Sequence, residues 1–414
     1  MKLGLRIHIP LSIVGNNLEH FKTALRDIKS ATENFSEKYG IKSDEDYNLY
    51  KAELDHFDVK NHSSVEENKG KHKRHNTVVV KRFFYKFDPQ GEERFYTNIR
   101  MLTSVKHRNI VTLLGFCVEA CEMILVIENF HENLDDALMN IQVRTLTWEK
   151  RLKICIDVAH ALKYLHSKMI IHRDICPWTI VLDENLGAKI DDFFYSVLIP
   201  TYQEDKPLCL ESNGREFYYI DLEYEEDNKL KRAYDVYSFG VVLFEVLCGK
   251  LANHPIYLTE SEKGLSHVVT QRYNMGTLKD MVDPLLNDET DENNITQNRG
   301  PNQDSLDTFI AIAFRCMAKT QDKRPTMENV TQELEKALYF QEHQETPDVE
   351  QVVDKHEKTP ERANESIHER VQCPNPNQIV DKLEKASEVK STHAIPVSPL
   401  FSSLLFVSGI NLTS

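Results

Sequence analysis

The sequence predicts an α+β chain of two lobes: a strand-rich lobe with one helix over residues 30–130, and a mostly α-helical lobe over 131–342. Two patterns lead there. Short β-branched and apolar runs crowd the first third, and the hydrophobic period then changes to helical spacing. Length agrees, because 414 residues exceed one small module and suit two domains or one two-lobed domain with tails.

In order along the chain, residues 1–20 read as an N-terminal extension without the long apolar core of a signal peptide. Between Asp55 and Asn76 no hydrophobic period survives, which predicts a long surface loop carrying the basic run Lys69 to His75. Thr77 to Phe84 reads as a buried strand, since β-branched residues fill a short run. Phe95, Ile99, Met101 and Leu102 set a helical period over Glu92 to Val105, and Ile110–Cys117 and Met123–Glu128 read as two further strands. Leu146 to His166 then places Leu152, Ile154, Cys155, Val158, Ala159, Leu162 and Leu165 on one wide helical face. Val236 to Leu247 reads as a helix buried nearly all round, and 305–318 and 326–341 as closing helices. The acidic stretch Asn287 to Asn294 is an inserted loop. The polar residues 343–414 read as a disordered tail, with Val349 to Lys358 a candidate short helix.

Composition narrows the function. With 65 Asp+Glu against 50 Lys+Arg, a formal charge of −15 repels nucleic acid and anionic lipid, so neither is the expected ligand. Eight scattered cysteines form no CxxC pair, and Cys117 and Cys121 have poor zinc spacing, so they read as reduced thiols of a cytoplasmic protein. No run approaches the ~18 apolar residues of a membrane span, which predicts no direct membrane insertion and any attachment to the plasma membrane through a partner.

The informative segment is His172-Arg173-Asp174, followed by Asp192-Phe193. With Lys81 ending Val-Val-Val-Lys, Asp221 to Tyr224, Asp235 to Gly240 and Arg324 to Met327, six landmarks stand in the order and spacing of protein kinases, which the chain resembles. Ser30 to Phe35, His107 to Cys117 and Leu146 to Leu152 look more narrowly like plant receptor-like kinases, nearest to the malectin type. The resemblance covers residues 21–342 and implies a two-lobed kinase-like fold, a small antiparallel β lobe with one main helix plus a larger, mostly α-helical lobe, with ATP and Mg2+ as cofactors if the chain is active and none otherwise.

Position by position, the resemblance implies a damaged site. The glycines of the phosphate loop fall on Lys42, Asp44, Glu45 and Tyr47, with Asp46 among them. Side chains fill the space glycine leaves open. Each carboxylate would repel an anionic nucleotide by roughly 3 kcal/mol at ~5 Å and an effective dielectric of ~20. Lys81 holds the phosphate-pairing position, but its usual glutamate partner is Asn98, an amide without counter-charge. Val79 crowds the adenine position, Ile127 is the gatekeeper, Glu128 to Phe130 the hinge, and Val181 a further nucleotide-facing residue. Asp174 keeps the catalytic-base position, yet the supporting lysine is Cys176 and the metal-binding asparagine is Thr179. Asp192 keeps the metal position, while the glycine after Phe193 is Phe194.

Fold-keeping roles follow for Asp235 under the catalytic loop, for Glu223 paired with Arg324, and for His172, Phe193 and Leu102 stacked between the lobes. The activation segment is Tyr195 to Ile220, with Thr201 and Ser212 as candidate phosphosites, and Arg215 to Tyr218 replace the usual glycine-threonine pattern. Three readings stay open. One is a pseudokinase that regulates or scaffolds another protein kinase or receptor-like kinase. The second is an active Ser/Thr kinase of low efficiency, and the third is an adaptor working through its basic loop or tail.

Overall fold

Residues 18–43, 46–54, 76–84, 89–139, 146–199, 217–227, 229–287 and 300–343 are described by a computed structural model. After helix α1 (Leu25–Ala31) come β1 (Gly40–Ser43), β2 (Tyr47–Leu54), β3 (Asn76–Phe83), helix α2 (Pro89–Ser104), β4 (Leu113–Glu119) and β5 (Glu122–Glu128). The five strands form one antiparallel sheet in the order β1-β2-β3-β5-β4.

β3 is buried along most of its length because both faces of the sheet are covered. Val78 and Val80 pack with Leu25 and Ile28 of α1, while Val79 and Phe83 join the main core with Phe95 and Ile99 of α2. Lys81 falls on the second face by the two-residue period of a strand. The strand predicted over Ile110–Cys117 starts three residues later than expected. Ile110 bridges to Ile190, and the Val111 N–H donates to the Ile190 carbonyl (3.0 Å), so this corner serves the second lobe.

The second lobe begins with β6 (Glu132–Asn133), α3 (Leu134–Met139) and α4 (Trp148–Ser167). Thr147 caps α4, its hydroxyl accepting from the Lys150 N–H, and Trp148 Nε1 donates to Ser305 Oγ (2.8 Å). The short strands β7 (Ile170–Ile171), β8 (Ile180–Leu182), β9 (Ala188–Ile190) and β10 (Val197–Leu198) carry the catalytic-loop region. Their pairings are β6-β8-β9 and β7-β10. Helices α5 (Leu222–Asp227), α6 (Ala233–Cys248), α7 (Pro255–Glu260), α8 (Leu265–Met275), α9 (Gln303–Cys316) and α10 (Met327–Glu342) complete the lobe. As its unbroken apolar period requires, α6 is buried from Tyr234 to Cys248, and α9 and α10 pack beside it and α4.

Asp235 stands in the first turn of α6. Its carboxylate accepts from the His172 N–H (2.9 Å), the Arg173 N–H (2.8 Å) and His166 Nε2 (2.9 Å). Burial opposes the charge, but the His166 bond and the other donors hold its pKa below the usual carboxylate range. His172 packs edge-on against Phe193 at 4.7 Å between ring centroids, and Leu102 belongs to the same buried core.

The predicted Glu223–Arg324 pair is not formed. Arg324 makes a bidentate pair with Asp221 (2.6 Å at both contacts), fully buried on both sides. Asp221 stands just before α5, where its carboxylate also accepts the Glu223 N–H (3.0 Å). Glu223 lies within the first turn and reaches instead to the backbone N–H of Gln321.

The basic run 69–75, Thr201, Ser212, Arg215, Glu216, the acidic stretch beyond Asn287, the N-terminal residues 1–17 and the tail from 344 lie outside the described residues.

Candidate functional site

Sheet register builds the first half of the site. Tyr47 of β2 faces Phe83 of β3, and Leu49 faces Lys81, so Tyr47 and Lys81 are diagonal neighbours on one face. The Lys81 ammonium accordingly lies 4.6 Å from the Tyr47 ring centroid. β9 and the turn after it bring the second half. Asp192 adopts a left-handed backbone (φ 60°) that turns its carboxylate toward β3.

These side chains close on one another. Lys81 Nζ donates to Asp191 Oδ2 (2.7 Å) and to Asp192 Oδ1 (2.6 Å), and the Tyr47 hydroxyl donates to Asp192 Oδ2 (2.9 Å). Lys81 and Asp191 are 2% exposed and Asp192 4%. Burial works against the Lys81 charge, yet the two facing carboxylates override it and raise its pKa. Burial also pushes Asp192 up to about 6; Lys81 pulls the other way, and the like charge of Asp191 reinforces the rise. The trio holds two carboxylates and one ammonium, so its last negative charge is the poorly compensated one.

Lys81 is therefore neither displaced nor snorkelling, and Asn98 is not its partner. The Asn98 Oδ1 accepts from the Phe193 N–H (3.3 Å), and its Nδ2 has no partner. An amide offers the ammonium no counter-charge, and Asp191 supplies one.

Around the trio stands an aromatic box. Tyr47 lies 5.4 Å from Phe83, and Phe83 lies 5.4 Å from Phe95 and 5.5 Å from Phe194, all between centroids. Positive φ falls on Asp192 and not on Phe194. Phe194 is buried against Phe83 and Tyr47.

The catalytic-loop substitutions are equally committed. The Thr179 hydroxyl lies 2.7 Å from the Asp174 carbonyl oxygen and 3.1 Å from that of Cys176, turned onto its own loop. Cys176 is fully buried, and Asp174 is 7% exposed. At the hinge, the Glu128 carboxylate accepts from Lys189 Nζ (2.9 and 2.8 Å) and the Thr112 N–H (2.7 Å), while its own N–H donates to Thr112 (3.0 Å). Its side chain thus ties the hinge to β9 rather than facing a nucleotide. Val79, Val181 and Phe130 are buried in the core.

Lys42 makes a contact the sequence does not announce. Its ammonium donates to Asp135 Oδ2 (3.2 Å) and Asp136 Oδ2 (2.8 Å), joining β1 of the first lobe to α3 of the second. Asp44 and Glu45 lie outside the described residues.

Asp192 would hold a magnesium ion here only by giving up its Tyr47 and Lys81 donors. Both oxygens of Asp192 already accept from donors, and a divalent ion there would sit against the Lys81 ammonium. The Thr179 oxygen is turned toward backbone, and among the described residues no group of three His, Cys, Asp or Glu side chains is arranged to hold a metal. Among the same residues no helix is long and apolar enough to cross a membrane.

A profile of the protein tyrosine and serine/threonine kinase family matches residues 59–334. The chain is 34% identical over 338 residues to the receptor-like protein kinase FERONIA of Arabidopsis thaliana, covering 81% of this chain and 34% of that one. It is 35% identical over 328 residues to the receptor-like protein kinase HERK 1 of the same plant, covering 78% and 35%. A probable receptor-like protein kinase, also of Arabidopsis thaliana, matches at 33% over 404 residues, covering 96% and 44%. The chain thus spans less than half the length of each of these relatives. With more than half of its residues matched by the profile and two lobes meeting at Lys81, Asp191 and Asp192, the chain belongs to the protein tyrosine and serine/threonine kinase family, with plant receptor-like kinases among its relatives.

Proposed function

We propose that this chain is a pseudokinase of the receptor-like kinase type, a signalling protein that regulates or scaffolds a partner kinase or receptor-like kinase in the cytoplasm. The observation that carries this reading is the Tyr47 hydroxyl on Asp192, beside a Lys81 ammonium already held by Asp191 and Asp192. The groups that would bind phosphate and metal are spent on each other. The lobes are thereby joined without a nucleotide, and a partner meets a kinase shape that does not depend on ATP. Any recruitment to the plasma membrane then comes through that partner.

The second reading, a Ser/Thr kinase of low efficiency using ATP and Mg2+, is favoured by one observation. Lys81, Asp174 and Asp192 persist, and Asp235 still braces the catalytic loop. Incubating the purified full chain with magnesium–ATP and a basic protein substrate separates the two. The first reading predicts no phosphate transfer above that of an Asp174→Asn variant; transfer lost in that variant establishes the second.

A further inference from the structure

Away from the cleft, the second lobe holds a cavity of about 650 Å3 between α3, the start of α4 and the segments that follow α6. That volume suits a small organic ligand. Its apolar wall includes Leu138, Met139, Leu146, Leu251, Pro284 and Leu285.

The charges in the wall are unequal. Arg151 is buried behind it, donating to the Leu146 carbonyl (2.9 Å), the Val246 carbonyl (2.6 Å) and the Asp283 carboxylate. Among the described residues Asp283 is the one acidic residue lining the cavity, and Arg151 and the Leu285 N–H (3.1 Å) engage it. Gly249 permits this arrangement: at φ 63° an added Cβ would collide with the Asp283 carboxylate. Arg151 and Asp283 cancel, which leaves Lys250 as the uncompensated charge among the described lining residues. The Lys250 ammonium has no ion pair among the described residues, and the neighbouring Asn253 amide is exposed and unbonded. His254 also lines the cavity, its Nδ1 accepting from the Ile256 N–H (3.3 Å).

We propose that this cavity binds a small organic monocarboxylate. Its apolar body lies against Leu138, Leu146 and Leu285, and its carboxylate meets Lys250 and Asn253. A single anionic head matches the single spare charge; a dianionic phosphate leaves one charge unmatched beside Asp283. The proposal is independent of whether the cleft binds nucleotide.

The test uses three probes with one eight-carbon body, octanoate, octylammonium and 1-octanol, titrated into the full chain by calorimetry or ligand-observed NMR. At this size octanoate is expected to bind saturably at about millimolar Kd or tighter, and octylammonium about tenfold more weakly. Lys250→Met keeps the apolar stem and is expected to weaken octanoate about fivefold while leaving octanol unchanged, an effect of charge rather than of packing. Asn253→Asp lies on the exposed rim and is expected to narrow or reverse the preference for octanoate over octylammonium. Circular dichroism melts establish that both variants fold. Absence of saturable octanoate binding, equal binding of octylammonium, or an octanoate affinity unmoved by Lys250→Met overturns the proposal.

Discussion

At position 47 a phenol stands where the kinase pattern has glycine, and its hydroxyl is the donor that completes Asp192. Tyr47→Phe keeps the ring and removes only that donor, leaving Oδ2 without its bond from the hydroxyl. The expected loss is about 1–3 kcal/mol in urea unfolding, with the slope unchanged; a variant as stable as the parent removes this bond from the account. Asp192 also makes stability depend on pH. Its folded value of about 6 lies above that of an unfolded aspartate, so the folded state keeps a proton the unfolded state has released. Its contribution is therefore greatest at acid pH and is lost as pH rises from about 4 through about 6. The raised Lys81 acts at the other end, stabilising below the unfolded lysine pKa and fading as pH rises through its folded value. Asp191→Asn removes a like charge that raises Asp192, so its loss of stability from pH 4 to 6 is expected to be smaller than the parent's. Parallel pH profiles of unfolding free energy contradict that. The sequence makes the retained Lys81, Asp174 and Asp192 and the altered Asn98, Cys176 and Thr179 legible, because each sits at a fixed distance from a motif. Asp191 hides beside Asp192, and only the turn of the backbone reveals which ammonium it meets.

Between elements, Lys42 links β1 to α3 through Asp135 and Asp136. The Lys42 side chain is 31% exposed, so the bridge is screened and modest. Lys42→Ala is expected to cost no more than about 1 kcal/mol at low salt and nothing measurable at about 1 M salt. Faster amide exchange in β1 and β2 is the more sensitive readout, and exchange rates identical to the parent's count against a lobe-joining role. The Asp221–Arg324 pair is the opposite case, fully buried on both sides. Arg324→Ala strands a buried carboxylate and is expected to cost about 3–5 kcal/mol, against about 1–2 for Glu223→Ala, which loses one backbone contact. Urea unfolding of the two variants decides it, and equal losses contradict the pairing described. The long helices α2, α4, α6, α9 and α10 were legible because an apolar face repeats over several turns. The strands β6, β7, β8, β9 and β10 have two or three residues each and no period to read. The Glu223 expectation failed for a related reason, since motif spacing finds an acidic cluster but not which acid turns inward at a helix cap.

Across the whole molecule, the two lobes meet through side chains of the chain itself. Lys81 reaches Asp191 and Asp192, Tyr47 reaches Asp192, and Lys42 reaches α3, while Asp235 holds the loop between them. The division into a strand-rich lobe and a helical lobe was readable from the change of hydrophobic period, and the antiparallel kinase-like architecture from the motifs. The closed state of the cleft was not, because it depends on contacts between residues more than a hundred positions apart. A regulator built this way is expected to keep its shape whether or not nucleotide is present. The most direct test is calorimetric titration of ATP into the full chain, with magnesium and then with EDTA, on protein shown to be folded by circular dichroism. A pseudokinase of this kind is expected to show no saturable binding up to about millimolar ATP and no upward shift in Tm. Magnesium-dependent binding in the micromolar range would mean that Tyr47 and Lys81 release Asp192 to a metal, and the chain would then be a nucleotide-binding kinase.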